Sequence, residues 1–324
     1  MSRGQLEKNQ IWIYTLSLGF GLYIGLVNPN IGTSLEVLIS PILAALLYSM
    51  FTLVPFLKLR EAFSNIRFNA ALFTINFIIA PILVWLLSLF LPEDPVLLLG
   101  FYLVLLTPCI DYVIVFTHMG KGDSKLLLAS TPLLLIAQII FLPIYLWLFM
   151  GDVVTHVMSA APFIEAFFLL IALPLVLAFI TELWAKKQSI GVTWLNGITW
   201  LPVPLMAFVL FFVVASQIGR VEEELSMVWL VIPVYVAFMV IMPLLAKLTA
   251  CAFHLNVGAG RALLFSAGTR NSLVVLPLAL ALPEGWILAA AIIVTQTMVE
   301  LVGELFYIRL IPSIYPRRKI KSRN

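Results

Sequence analysis

The chain has 324 residues, 62% of them hydrophobic and only 11% charged, with a formal net charge of +3 at pH 7. Soluble domains carry about 25% charged residues, so a mean hydropathy of +1.09 excludes an ordinary soluble domain. The composition is that of an all-α polytopic membrane protein.

Residues 1–10 are polar and lead straight into an apolar run without a small-residue cleavage site, so no removable signal peptide is expected. Ten runs of roughly 18–27 mostly apolar residues follow, each long enough to cross a bilayer: 11–27, 35–57, 69–91, 96–118, 125–150, 162–184, 194–218, 227–249, 260–282 and 285–310. Turn chemistry marks the connections, as in Asn28-Pro29-Asn30, Pro92-Glu93-Asp94-Pro95 and Pro283-Glu284-Gly285. The whole of 1–324 reads as one membrane domain with a basic tail over 312–324. Cytoplasmic segments collect lysine and arginine. With the N-terminus inside, all but two of the 19 basic residues, Arg220 and Arg270, fall on the cytoplasmic side. Both termini are therefore expected in the cytoplasm, the cell membrane is the expected location, and the tail residues Arg317, Arg318, Lys319 and Lys321 are expected to anchor to anionic lipid rather than to nucleic acid.

Ten spans divide into halves of five, and an odd number per half inverts the second half in the membrane. The repeats are expected at approximately 10–151 and 160–311. Span four breaks at Thr107-Pro108-Cys109-Ile110-Asp111, because a proline removes a backbone hydrogen bond and clashes with the preceding turn. Span nine, its counterpart, carries Gly268-Thr269-Arg270-Asn271-Ser272 in mid-span. Interrupted helices at matching positions of two halves point to the binding site of a secondary transporter.

The chemistry-bearing residues cluster at these breaks. Intramembrane ionisable groups are costly and are read by default as functional. Asp111 either caps the second half-helix of span four or carries a proton. Arg270 is permanently charged and needs a partner, an anionic ligand or water; Asp111 is the first candidate and Glu300 the second. Gln296, Glu300 and Glu304 share one face of span ten. Two carboxylates one turn apart would not both stay charged, which makes Glu300 a candidate proton carrier, while Glu304 lies close enough to the span end to reach water. Cys109 is the one thiol at a break, and a thiolate suits soft centres; Cys251 reads as packing filler. Asn76 and Gln138 are amides that line the cavity or bridge helices. The scattered histidines and two cysteines offer no metal-ligand spacing, and no nucleotide loop or catalytic triad is present. No cofactor and no obligate protein partner are expected, and the chain is not expected to be an enzyme.

These residues resemble the bile acid:sodium symporter superfamily, and within it the arsenical-resistance branch. The likeness is carried by Asn76 with Pro81 in span three, Pro108-Cys109 in span four, Gln138 with Pro143 in span five, the segment from Phe265 to Asn271 in span nine, and Glu300 in span ten. It implies a ten-helix inverted-repeat transporter with crossing broken helices in spans four and nine. It also implies export of arsenite or antimonite from the cytoplasm, in exchange for protons, with Cys109 contacting the metalloid. Asn271, Asn76 and Gln138 would contribute to the substrate site, and Asp111, Arg270 and Glu300 would form the proton-coupling or ion-pair set. The chain departs from the branch where Leu273 replaces a glutamate. Ser266 and Arg270 stand where sodium-coupled members bind sodium, so sodium coupling is not expected. The rival expectation is a carrier of small organic anions, with Arg270 holding a carboxylate.

Overall fold

The computed structural model describes residues 3–28, 34–58, 65–110, 112–151, 167–221, 225–280, 282 and 286–316. Helix dominates throughout, and no strand occurs among the described residues. The elements are α1 (Arg3–Val27), α2 (Ile39–Phe51, entered through a 3-10 turn at Leu35–Leu38), α3 (Ile66–Ser88), α4 (Pro95–Leu105), α5 (Val113–Met119), α6 (Ser124–Met150), α7 (Leu173–Lys187), α8 (Ser189–Ile198), α9 (Pro202–Val221), α10 (Leu225–Ala252), α11 (Val257–Gly268), α12 (Ser272–Leu280) and α13 (Ile287–Ile314). Five helical stretches are each long and apolar enough to cross a membrane: Ile66–Ser88, Ser124–Met150, Phe168–Lys187, Ser226–Ala252 and Leu288–Ile314. The pair α8 and α9, bent by 41° at its break, makes a sixth if it is one span.

The distribution of side chains is that of a protein dissolved in lipid. Large apolar residues face outward, as with Trp147 (60% exposed), Val240 (61%) and Phe306 (67%), whereas Arg270, Glu300 and Glu304 are wholly buried. Hydrocarbon offers no hydrogen bonds, so every freed backbone group must find a partner inside the protein.

Two prolines show how this is met. Pro81 lacks the N–H that would bond Phe77 O, and the hydroxyl of Tyr145 on α6 donates to that carbonyl at 2.5 Å. The helix accommodates the proline with a π turn at Ile75–Ile79. Pro243 in α10 likewise frees Met239 O, and the hydroxyl of Tyr307 on α13 donates to it.

The helices fall into two groups. In one, α1 packs on α9, α9 on α2, α2 on α7 and α7 on α8; in the other, α10 packs on α11 and α13, α4 on α13, and α11 on α6 and α3. Helix α12 packs on α13 and α4 and also touches α2. Among the glycines of the second group the closest approach to backbone is at Gly100 of α4, where an added Cβ would lie 2.6 Å from Ala289 O and 2.8 Å from Ala289 Cα of α13.

That approach yields a test. Replacing glycine by alanine inside a helix gains about 0.5–1 kcal/mol, but overpacking costs about 1–3 kcal/mol. The opposing atoms at Gly100 are backbone and cannot yield, so Gly100→Ala should lower the melting temperature in detergent. Gly19→Ala, where nothing lies within 4 Å, should leave it unchanged or raise it. Equal melting temperatures for the two variants would show that α4 and α13 are not held this closely.

Candidate functional site

The two predicted breaks meet. Helix α4 ends at Leu105 and α5 starts at Val113; α11 ends at Gly268 and α12 starts at Ser272. Between them the segments exchange two backbone hydrogen bonds. Asn271 N donates to Thr107 O at 2.8 Å and Cys109 N donates to Thr269 O at 3.1 Å, an antiparallel bridge centred on Pro108 and Arg270.

Side chains dispose of the helix-end carbonyls that the breaks expose. Thr107 Oγ1 lies 3.0 Å from Leu103 O and 3.1 Å from Val104 O at the end of α4. The Arg270 guanidinium curls back and donates through Nη2 to Ala267 O, capping α11. A cation suits the negative end of a helix dipole, and the Phe238 ring adds a cation–π contact, with Cζ 4.9 Å from its centroid. Gly268 has no room for a side chain, because the Tyr307 ring occupies the place of a Cβ.

Glu300 organises the other flank of the crossing. Its Oε2 accepts from Arg270 N at 2.8 Å and from Gln296 Nε2 at 2.5 Å, and its Oε1 accepts from the Tyr112 hydroxyl at 2.5 Å. The same hydroxyl lies 3.1 Å from Arg270 O. Glu300 is also an electrostatic partner of the Arg270 charge, as is Cys109.

Several polar atoms near the crossing lack a partner. Arg270 Nε and Nη1, both amide atoms of Asn271 and of Gln138, Asn76 Oδ1 and Ser272 Oγ are all buried without a hydrogen bond. Asn76 Nδ2 donates to Leu72 O at 3.1 Å and to Ser266 Oγ at 3.2 Å, joining α3 to α11. Beside the crossing lies a cavity of about 40 Å3, lined by Thr107, Gln138, Leu142, Val274, Val275 and Leu278. Buried polar groups without partners are uncommon in native proteins and call for an unseen water, ion or ligand.

The structure thus brings Cys109, Arg270, Asn271 and Glu300 to one crossing, with Gln138 at the adjoining cavity and Asn76 against α11. Asp111 lies outside the described residues, so its predicted pairing with Arg270 is not seen; Glu300 holds the Arg270 backbone N–H instead of its guanidinium, which bonds Ala267 O. Tyr112 occupies the cap position of α5. Glu304, expected near water, is wholly buried. The segment from Leu305 to Ile314 separates it from the end of α13, with α10 and α11 packed alongside that helix. Cys251 is exposed at the end of α10 and fills no core space. Tyr112, Thr269 and Phe238 were not legible as site residues. Tyr112 carried a signal all the same, being a polar aromatic one residue past a predicted break.

Residues 40–224, more than half the chain, match the family model described as Sodium Bile acid symporter family. The chain belongs to this family. It is accordingly a membrane solute transporter. The matched range includes Asn76, Cys109 and Gln138 and ends before α11 and α13, which supply Arg270 and Glu300. No curated protein matches the chain.

The contact between Glu300 and Arg270 can be tested by a double-mutant cycle. Removing one partner of a buried charged pair costs about 3–5 kcal/mol, because the other charge is stranded. Glu300→Gln and Arg270→Gln should each lower thermal stability in detergent, and the double variant should lose less than the sum. Additive losses would show that the two charges do not compensate one another.

Proposed function

We propose that the chain is a ten-span secondary transporter that exports arsenite or antimonite from the cytoplasm of the cell in exchange for protons. In this reading both termini are cytoplasmic, and two inverted five-helix repeats cross at the bridged breaks.

The repeat is supported by correspondences at half the chain length. Shifting by half of the 324 residues carries Pro81, Phe77 and Tyr145 onto Pro243, Met239 and Tyr307, the two proline–carbonyl–tyrosine sets described above. The same shift carries Thr107, Pro108 and Cys109 onto Thr269, Arg270 and Asn271, so the two bonds of the bridge exchange places. It also carries Gln138 onto Glu300. Glu300 meets donors from Arg270 N and Tyr112, whereas the matching positions near Gln138 are Pro108, which has no N–H, and Val274. That difference accounts for the unpartnered Gln138 amide and for an open cavity on its side of the crossing.

The observation that carries the substrate reading is the set of groups at the crossing together with the cavity beside it, of which Gln138 is a lining residue. Cys109 offers a soft sulfur, and Asn271, Gln138 and Ser272 offer unpartnered donors and acceptors. Undissociated arsenite presents a soft centre with three hydroxyls, which needs both. A volume of about 40 Å3 suits a solute of a few heavy atoms, given that a single water needs about 10–15 Å3. Arg270 and Glu300 would supply the fixed charges against which a proton-carrying carboxyl group works, with Asp111 two residues from Cys109 in sequence. Alternating access would come from one helix group moving against the other.

A second reading, a carrier of small organic anions, is favoured by one feature, the two unpartnered N–H groups of Arg270. It leaves the thiol without a task.

In cells lacking other exporters, the chain should confer resistance to arsenite and antimonite, and Cys109→Ser should abolish it while the protein still inserts, since oxygen is a poor substitute for sulfur. Efflux in vesicles should follow an imposed pH gradient and ignore a sodium gradient. Undiminished resistance of Cys109→Ser, or transport of small carboxylates alone, would favour the second reading.

A further inference from the structure

Glu300 and Glu304 stand one turn apart on α13, both wholly buried, yet their surroundings differ. Glu300 meets three donors, from Arg270 N, Gln296 and Tyr112. Glu304 meets one polar partner, Thr269 Oγ1, 2.7 Å from its Oε1, and its Oε2 has none. A carboxylate in low dielectric requires donors on both oxygens. The hydrogen bonds fit an ionised Glu300 and a neutral acid at Glu304.

Counting hydrogens at Thr269 leads to the same assignment. Its hydroxyl has one hydrogen but two oxygen neighbours, Phe265 O at 2.6 Å and Glu304 Oε1 at 2.7 Å. Both contacts are attractive only if the threonine donates to Phe265 O and the Glu304 acid donates to Thr269. Phe265 O already accepts from Thr269 N at 3.1 Å. Thr269 is also the residue whose carbonyl holds Cys109 N at the crossing.

We propose that Glu304 is the proton-carrying group of this transporter and that Thr269 transmits its state to the crossing. When the acid releases its proton to water, the Thr269 hydroxyl must turn to the new carboxylate. Its lone pairs then face Phe265 O at 2.6 Å, and the residue has to shift, taking the bond to Cys109 with it. Among the described residues the charged and titratable groups that interact with Glu304 are Glu300 and Tyr307 on its own helix; Arg270 interacts with both of these, and Tyr112 donates to Glu300. Ionised Glu300 one turn away opposes a second negative charge, so arrival of a solute at the crossing and loss of the Glu304 proton become linked events. This assignment rests on the proton exchange proposed above and adds the group that performs it.

The test uses the full chain in lipid vesicles. The infrared spectrum at neutral pH should contain the stretching band of a protonated carboxyl group, missing in Glu304→Gln and retained in Glu300→Gln. Cys109 labelling by a small thiol reagent, in a Cys251→Ser background, then reports on the crossing. Above the pH at which the band disappears, the labelling rates of the parent and of Glu304→Gln should differ about 5-fold or more, the lower end of coupling between sites. The ionisation of the thiol is common to both. Thr269→Val should keep the band and lose that difference. Absence of a band assignable to Glu304, or equal labelling in parent and Glu304→Gln, would overturn the proposal. Antimonite separates it from the substrate reading. Protection of Cys109 by antimonite without change in the Glu304 band would overturn the proton role and leave the substrate. A titrating band with its labelling response, but no protection, would support the proton role and overturn the substrate.

Discussion

The structure depends on two backbone hydrogen bonds, Asn271 N to Thr107 O and Cys109 N to Thr269 O. A helix interrupted at membrane depth exposes amide and carbonyl groups that lipid cannot satisfy. Each break here supplies the partner for the other. Neither break could be satisfied alone, so the crossing is a joint property of α4–α5 and α11–α12. Side-chain groups complete it, with Thr107 and Arg270 covering carbonyls on the helix ends and Glu300 receiving Arg270 N.

The buried cation illustrates how the cost of such a site is distributed. Arg270 gains from the end of α11, from the Phe238 face and from Glu300, yet two of its nitrogens remain unpartnered. Full pairing would make a static strut. The shortfall leaves buried polar capacity at the crossing.

The family fixes a solute transporter, and the local chemistry points to which solute. A small cavity with one amide, Gln138, in a mostly apolar lining occupies one flank of the crossing, while the carboxylates of α13 occupy the other. The half-chain correspondence explains why the flanks differ. Proline at 108 and arginine at 270 are equivalent positions, but only the second has an N–H to offer a carboxylate. The backbone bonds of the two segments correspond and their side chains do not, so one flank carries carboxylates and the other an unpartnered amide.

Much of this was legible in the residues alone. Apolar run length, proline and glycine punctuation and the placement of charges locate the helices and both breaks, because those signals are local. Cys109, Arg270 and Glu300 stand out because polar groups at membrane depth are costly wherever they point. Partner choice was not legible. Glu300, thirty residues beyond Arg270 in the chain, accepts from its backbone N–H, a meeting that no local signal announces. Glu304 looked close to water, and only the packing of α10 and α11 against α13 shows it dry. Tyr112 and Thr269 became site residues through distances between segments far apart in the chain. Sequence determines which groups the membrane makes expensive; tertiary structure alone decides which of them meet, since hydrogen bonding acts over about 3 Å and chain separation says nothing at that range.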